Sequence, residues 1–275
     1  MMRSREGVVR RLLHVGGVPI LAHVWQRRSG EVSFHAAAAT SEPARAGQLE
    51  LAIGRLRFAL GVDDDLKPFY DRFRSDPLLG PAIRRRPWLR PRKRIWPWEA
   101  LAWAVTGQLI EATRAAEIQR RIVHRWGPCL EAERLRDVPS AARIAARAPA
   151  ELAACDLAPK RAIALIRCAR EVASGRVDPA DPDGDRRLLA IPDIGPWTIQ
   201  CLGLGGRGEP DSLPAGDLAY VKLVGRLAGL GRRATIPEIE EFYAPYEPYR
   251  GWAGYFTVLH YHAGVGAGPP LRLAA

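Results

Sequence analysis

The segment Leu188–Thr198 predicts a tight hairpin between two short helices, and this feature constrains the fold more than any other. Two leucines at its start supply the apolar side of the first helix. Pro192 and Gly195 favour the turn. The second helix is expected to begin near Pro196, since a proline at the first helical position costs no hydrogen bond. The chain should therefore contain a helix-hairpin-helix unit.

The start of the second helix is a candidate anion-binding site. Unpaired amides at a helix N-terminus point outward, and the helix dipole favours negative charge there. Such a site can hold one DNA phosphate without reading any base. The residues expected to contact the phosphate are Ile194, Gly195, Trp197 and Thr198.

The charge of the chain favours a polyanionic partner. Among 275 residues, 41 Lys and Arg stand against 30 Asp and Glu, which gives a formal charge of +11. No apolar run approaches the ~18 to 20 residues that a membrane-spanning helix needs. The apolar stretch Val18–Val24 is broken by Pro19 and His23, unlike a signal peptide. We therefore expect a cytoplasmic protein with no membrane partner.

The cysteines are not arranged as metal ligands. They lie far apart, with no CxxC pair and no histidines at ligand spacing. The four residues are Cys129, Cys155, Cys168 and Cys201. We expect reduced, structural thiols and no iron–sulfur cluster, because such clusters need closely spaced cysteine ligands.

The pattern of the chain predicts an α+β protein that is mainly α-helical. Short β-like runs at 8–15, 18–26 and 32–37 predict a small N-terminal antiparallel layer. From Asp63 onward the spacing is helical, with Pro and Gly breaks. Helices are expected from 111 to 126, with one buried face, and at 139–147, 148–155 and 159–173.

An arginine-rich stretch at 84–94, interleaved with prolines and Trp88, has two interpretations. It can contact phosphates, because the guanidinium fork matches their geometry. It can equally be a solvated connector, since charge runs are common on surfaces.

The hairpin is similar to that of the HhH-GPD DNA glycosylase superfamily, especially the 3-methyladenine DNA glycosylase II family. Two further segments agree with it: Leu213-Pro214-Ala215-Gly216-Asp217 resembles the loop before the family's catalytic aspartate, and Gly107-Gln108-Leu109-Ile110 resembles its helix junction. The resemblance extends from about Leu66 to about His262. It implies a helical body of two lobes, one formed by 63–96 with 207–275, the other by 97–206. The strand pattern predicts the N-terminal β domain at 1–62, which the resemblance matches only in general character.

The resemblance implies that Asp217 is the catalytic carboxylate. An aspartate before Leu218 and Val221 could also simply cap the helix that follows. Tyr220, three residues on, supplies no capping-box glutamate. One residue can serve both roles.

The resemblance also implies a base pocket formed by Trp197, Cys201 and Leu218. Related bifunctional enzymes carry a Schiff-base lysine where this chain has Trp197, so base excision without β-lyase activity is expected. Core packing is the alternative interpretation of Trp197, and Cys201 and Leu218 stand where tyrosines are expected. Trp252, Tyr255, His260 and His262 could complete the pocket, although such residues in a helix are more often core.

Base flipping leaves a gap in the duplex that the protein must fill. The resemblance implies that Leu109 is the wedge and that Gln108 contacts a flanking or opposite base. A buried leucine and a loop-satisfying glutamine are the alternatives.

The hairpin departs from the family at Asp193, where glycine is usual. Aspartate tolerates left-handed backbone geometry better than most residues, but its charge should weaken phosphate binding. The family's hairpin also binds a monovalent cation, Na⁺ or K⁺. Here the ligands would be the main-chain carbonyls of Leu189, Ile191 and Ile194.

The leading hypothesis is a monomeric, monofunctional glycosylase that removes alkylated purines from double-stranded DNA with no catalytic cofactor. The alternatives are a non-catalytic or substrate-diverged DNA-binding protein that keeps the hairpin, and an acyl- or phosphoryl-transferring enzyme. The last lacks a nucleophile–base grouping or a phosphate loop.

Overall fold

An antiparallel sheet forms the N-terminal layer of the computed structural model, which describes residues 3–5, 7–40 and 43–261. Its strands follow the chain in the order β1 (Arg3–Arg5), β2 (Val8–Val15), β3 (Val18–Gln26) and β4 (Val32–Ala38). Val15 pairs with Val18 across Gly16 and Gly17. Both glycines have positive φ, 58° and 85°, as the two-residue hairpin turn requires. The predicted strands are confirmed.

A helix that the sequence analysis did not predict covers this sheet. Helix α1 (Ala46–Leu60) packs its Ala52, Leu56 and Ala59 on the inward residues of the sheet, among them Leu13 and Ile20. Two of the three buried positions on this helix are alanines, which carry a weak hydrophobic signal. The N-terminal segment is therefore a sheet with one helix on it.

The remaining elements are helical, apart from a short hairpin of β5 (Cys129–Leu130) and β6 (Leu135–Arg136). The first helices are α2 (Lys67–Phe73), α3 (Leu79–Arg85), α4 (Pro97–Gly107), α5 (Ala112–Trp126), α6 (Ala141–Ala145), α7 (Pro149–Ala153) and α8 (Pro159–Ala173). The others are α9 (Asp185–Leu189), α10 (Pro196–Leu202), α11 (Leu218–Leu227), α12 (Ile236–Tyr243) and α13 (Arg250–Tyr261). The expected fold class, mainly α with a small antiparallel β layer, is confirmed.

Two hydrophobic clusters lie in the helical part. One is built from residues between 100 and 202, with Leu101 and Leu165 fully buried. The other joins residues 66–83 to residues 213–261, and its centre is the aromatic ring of Phe69 packed against Phe73 and Phe256. The division of the chain into domains stays a prediction, and these clusters favour it.

A buried polar network joins the sheet to the helices. The Arg11 guanidinium, on β2, lies 3.4 Å from a Glu99 carboxylate oxygen and 3.3 Å from one of Asp137. Asp137 also accepts hydrogen bonds from the backbone N–H groups of His14 and Val138. Glu99 belongs to α4, so this network fixes the helix that leads to Leu109.

The arginine-rich connector is partly tied to the protein. Arg86 donates to the carbonyl of Leu259 at 2.8 Å, and Lys93 is buried against the Asp64 carboxylate at 2.5 Å. Trp88 is exposed. Arg86 and Lys93 therefore stabilise the helical body, whereas Arg92 and Arg94 remain exposed. Within the described ranges no helix has the length and hydropathy to cross a bilayer.

Candidate active site

The predicted helix-hairpin-helix unit is formed by α9 and α10. Leu188, Ile191 and Ile194 are buried and anchor the hairpin in the core. The second helix begins at Pro196, as expected, and continues past Leu202 into a π-helical turn that ends at Arg207. The amides at its start are therefore carried by a firmly packed turn.

Asp193 adopts the left-handed conformation that its position in the hairpin requires. Its φ is +68°, and its side chain is exposed. This is the geometry for which glycine is ordinarily used, and aspartate is among the few other residues that reach it at low cost. The expectation that the hairpin survives this substitution is confirmed by its geometry.

Gln108 ties the helix junction to the hairpin. Its side-chain amide donates to the main-chain carbonyl of Asp193 at 2.8 Å and to the hydroxyl of the buried Thr198 at 3.0 Å. The next residue, Leu109, is 102% exposed and has φ +55°. An apolar side chain with full exposure and a left-handed backbone is costly unless it has a partner to meet. Of the two sequence interpretations, the buried leucine is wrong.

Asp217 is the N-cap of α11. Its carboxylate accepts a hydrogen bond from the Ala219 N–H at 2.8 Å, and its own N–H donates to Pro214 at 2.9 Å. The side chain is half-buried. Two features thus fix the carboxylate: the cap geometry and the tight turn before it.

Trp197 lies directly beside the loop that carries Asp217. A Cβ atom on Gly216 would stand 3.6 Å from the Trp197 ring and 3.6 Å from the Ile236 side chain. Among the described residues, the buried Trp197 Nε1 has no hydrogen-bond partner. Trp197 is thus half-buried, with a buried N–H donor that no group among the described residues satisfies.

Cys201 and Tyr220 complete the surroundings of the carboxylate. Burial, followed by the charge of Asp217, raises the pKa of the Cys201 thiol well above its ordinary value. Burial, followed by the charge of Tyr243 and then that of Asp217, raises the pKa of Tyr220. Both groups are therefore neutral at pH 7, and both lie within electrostatic reach of Asp217. Leu218 is 41% exposed beside them.

Sequence reasoning missed two residues of this site. In the sequence, Tyr220 drew attention only because it is not a capping-box glutamate. The helical spacing of α11 turns its side chain towards the buried surroundings of Asp217. Ile236 is 50% exposed and comes from a different helix, so no local signal marks it. Its position follows only from the packing of α12 against Gly216.

The aromatic residues of α13 have mixed roles. Trp252 is buried, with its ring stacked on Tyr249 and edge-on to Phe69, so it belongs to the core. His260 is also buried, against Tyr261. Tyr255 is half-buried and lies within electrostatic reach of Tyr220. His262 lies outside the described residues.

The four cysteines are free thiols. Burial raises the pKa of Cys168 to about 12, so this thiol is inert. In the described part of the chain, no group of three or more His, Cys, Asp or Glu side chains is placed to hold a metal ion. The absence of an iron–sulfur cluster stays an expectation from the spacing of the cysteines.

The main-chain carbonyl oxygens of the hairpin have lone pairs free for a monovalent cation. Within the described residues no hydrogen bond reaches the carbonyl oxygens of Leu189 and Ile194, while that of Ile191 accepts one from the Ile194 N–H at 3.0 Å. A carbonyl has two lone pairs, so all three oxygens retain a free one.

Known proteins resemble this chain in sequence and in fold. No family model matches it. A DNA-3-methyladenine glycosylase of Bacillus subtilis is 29% identical over 203 residues, which cover 71% of this chain and 67% of that protein. A probable bifunctional transcriptional activator/DNA repair enzyme AlkA of Mycobacterium tuberculosis is 26% identical over 211 residues, 74% of this chain. The chain spans only 42% of the length of that relative.

The solved structure of a 3-methyladenine DNA glycosylase from Archaeoglobus fulgidus superimposes with a TM-score of 0.82 at 18% identity. The superposition covers 97% of this chain and 91% of that one. The protein therefore has the helix-hairpin-helix DNA glycosylase fold. Its sequence resembles the 3-methyladenine DNA glycosylases in particular, and the resemblance predicted from the hairpin is confirmed.

Proposed function

We propose that this protein is a monofunctional DNA glycosylase of base-excision repair, which hydrolyses the N-glycosidic bond of flipped alkylated purines of the 3-methyladenine or 7-methylguanine type. The observation that carries the proposal is the placement of Asp217. A half-buried carboxylate is fixed at a helix N-terminus, beside the unpartnered Trp197 and the neutral Cys201, and behind a hairpin suited to phosphate. The sequence resemblance to DNA-3-methyladenine glycosylases supports the choice of substrate.

The chemistry needs one ionised carboxylate. As the bond between base and sugar breaks, positive charge builds on the sugar, and Asp217 stabilises this oxocarbenium-like state electrostatically. The same carboxylate can orient the attacking water. An N3- or N7-alkylated purine already carries positive charge and leaves readily, so no strong general acid is required. The aromatic faces of Trp197 and Tyr255 favour a cationic base.

The residue at the position of the Schiff-base lysine supports hydrolysis without strand cleavage. A β-lyase step requires an amine that forms a Schiff base with the sugar. At the position where related bifunctional enzymes carry that lysine, this chain has Trp197. Neither Cys201 nor Tyr220 can replace it, because both are neutral and neither is an amine.

DNA is bound through three features. Ile194, Gly195, Trp197 and Thr198 surround the start of α10, where they would hold one phosphate. The N–H groups of Ile194 and Thr198 donate to the carbonyls of Ile191 and Gly195, so the amides of Gly195 and Trp197 would make the direct contacts. A monovalent cation on the carbonyls of Leu189, Ile191 and Ile194 would add positive charge at this phosphate. Leu109 enters the duplex as the wedge, and Gln108 holds the wedge against the hairpin while its carbonyl oxygen can face a neighbouring base. We propose that the protein acts as a monomer.

The proposal is tested by incubating the protein with duplexes that carry 3-methyladenine or 7-methylguanine. We expect release of the free base, and intact strands until the abasic product is treated with alkali. Strand breaks that appear at the rate of base release and can be trapped by borohydride would contradict the monofunctional assignment. Undamaged duplex serves as the control.

A non-catalytic or substrate-diverged DNA-binding protein is the second candidate. Asp193 near the phosphate site and Cys201 and Leu218 in the pocket favour it. On this alternative, the protein binds duplex DNA but releases neither base. A panel of other lesions then separates a different substrate from a lost activity.

The charge of Asp193 gives a prediction for DNA binding. In an Asp193→Asn variant the left-handed backbone remains favourable, while the negative charge beside the phosphate is removed. We expect the affinity for undamaged duplex at low salt to rise about two- to fivefold, as removal of an exposed charge repulsion near 0.5 to 1 kcal/mol implies. The measurement is fluorescence anisotropy. Asp193→Ala is the matched comparison, because it removes the same charge but introduces a residue for which positive φ is unfavourable. Unchanged affinity in both variants would mean that Asp193 does not face the DNA.

A further inference from the structure

A basic groove lies along α11, the helix that Asp217 caps. It is lined by Lys222, Arg226, Arg232 and Arg233 together with three glycines, and its volume is about 410 Å³. These residues belong to no motif in the sequence, and neither the hairpin nor the wedge includes them. We propose that this basic groove binds the phosphodiester backbone of the DNA close to the flipped nucleotide, a second phosphate site that rests on the proposed function.

The groove is built by a loop that doubles back along α11. The N–H of Leu230 donates to the carbonyl of Gly225 at 3.0 Å, and the N–H of Ala234 donates to that of Val221 at 3.0 Å. A Cβ atom on Gly225 would stand 2.2 Å from the carbonyl oxygen of Arg232, so only glycine lets the loop approach so closely. The chain then enters α12, whose Ile236 reaches the loop before Asp217.

This path places Lys222 and Arg233 beside the first two turns of α11, the helix that Asp217 caps. Leu218 and Lys222 are four residues apart on α11, so they share a face and are separated by about 6 Å along the helix axis. Arg233 precedes Ala234, whose N–H donates to the carbonyl of Val221, one helical turn after Asp217. Phosphates of one strand follow one another at about 3.4 Å along the duplex axis. Lys222 therefore lies within about two base steps, measured along the axis of α11, of the helix start that Asp217 caps.

Two of the four cations of the groove have no partner among the described residues. Arg232 forms a two-pronged ion pair with Glu238, at 2.6 and 2.9 Å. Arg226 donates to the carbonyl of Tyr261. Among the described residues, Lys222 and Arg233 have no carboxylate partner. An exposed pair of cations without carboxylates is suited to an anion that arrives with the ligand.

The negative groups around the groove do not oppose an anion. The last carbonyls of α11, those of Val224, Gly225 and Arg226, accept hydrogen bonds from the N–H groups that follow the helix. Glu238 is the carboxylate that pairs with Arg232, one of the lining residues. The Arg232 guanidinium and the Thr235 N–H lower the pKa of Glu238 to about 2, so its charge is present but balanced by Arg232.

The shape of the groove favours a polymer over a small anion. Three of its seven lining residues are glycines, so parts of its wall lack side chains and a chain of phosphates can pass across it. An arginine fork and a lysine point charge then contact successive phosphate oxygens. The formal charge of +11 agrees with a ligand of many charges.

The test removes the two uncommitted cations. We expect the double variant Lys222→Gln/Arg233→Gln to bind undamaged duplex more weakly, and the slope of log affinity against log salt to become shallower by about 1.8, which is 0.9 for each lost phosphate contact. The control variant Arg167→Gln/Arg170→Gln removes two exposed charges from α8 and should keep the parental slope. The variant Lys222→Arg/Arg233→Lys retains both charges and should also keep it.

Thermal unfolding of each variant separates a binding effect from a folding defect. Methylphosphonates placed one at a time in a duplex with a tetrahydrofuran abasic site then map the contact. They should weaken the parent at one or two phosphates near that site and leave the double variant unaffected there. A parental slope in the double variant, or an equal change in the α8 control, overturns the proposal. Binding to undamaged DNA needs no excision, so a parent that releases no base would refute the proposed function and leave this result standing.

Discussion

An Asp217→Asn variant is expected to release alkylated purines at least about a hundredfold more slowly than the parent, because loss of one well-placed charge-stabilising group typically costs a factor of 10² to 10³. Asparagine has nearly the same volume but no charge, so it cannot stabilise the cationic sugar. The measurement is single-turnover release of 3-methyladenine or 7-methylguanine at saturating protein. Affinity for the lesion duplex should change little, which separates a loss of catalysis from a loss of binding.

The cap geometry makes this substitution a clean one. Asp217 accepts the Ala219 N–H, and asparagine and serine cap helices about as well as aspartate. Asp217→Asn and Asp217→Ser should therefore unfold at nearly the parental denaturant concentration. Asp217→Ala should lose about 1 kcal/mol of stability as well, since it cannot cap. If Asp217→Asn and the parent release base equally fast, Asp217 is only a helix cap.

The hairpin was predictable because its signals are local. Pro192, Gly195 and Pro196 restrict the backbone by their own covalent structure, and each stands where the turn and the second helix need it. The same holds for Asp193, whose positive φ was expected from its place in the motif. The three predicted strands also repeat a local pattern, namely alternation of inward and outward side chains.

The features that the sequence did not reveal depend on contacts between distant parts of the chain. Gln108 donates to Asp193, 85 residues away, and so stabilises the hairpin. The sequence offered a loop-satisfying glutamine as an alternative to a DNA contact but did not indicate this partner. Ile236 reaches Gly216 through the fold of another helix. Helix α1 was missed because its buried stripe is mostly alanine. The hydrophobic periodicity within one segment does not indicate these partners in other segments.

Asp137→Ala is expected to lower the free energy of unfolding by about 3 to 5 kcal/mol, the usual cost of leaving one partner of a buried ion pair uncompensated. The Arg11, Glu99 and Asp137 side chains are only 5%, 7% and 5% exposed, so water cannot replace the lost carboxylate. The N–H groups of His14 and Val138 would lose their acceptor as well. Urea titration should show the lower midpoint with an unchanged slope.

The exposed pair Arg27–Glu31 is the matched control for this variant. Its side chains are 58% and 64% exposed, so Glu31→Gln should change stability by less than about 1 kcal/mol. If Asp137→Ala costs no more than Glu31→Gln, the sheet is not held to α4 by this network. The consequence for function follows from chain order. Glu99 lies on the helix that ends just before Gln108 and Leu109. A loosened network should therefore weaken binding through the wedge more than binding through the hairpin phosphate contact alone, and the affinity for lesion DNA should fall. A destabilised but equally tight-binding variant would show that Gln108 alone positions the wedge.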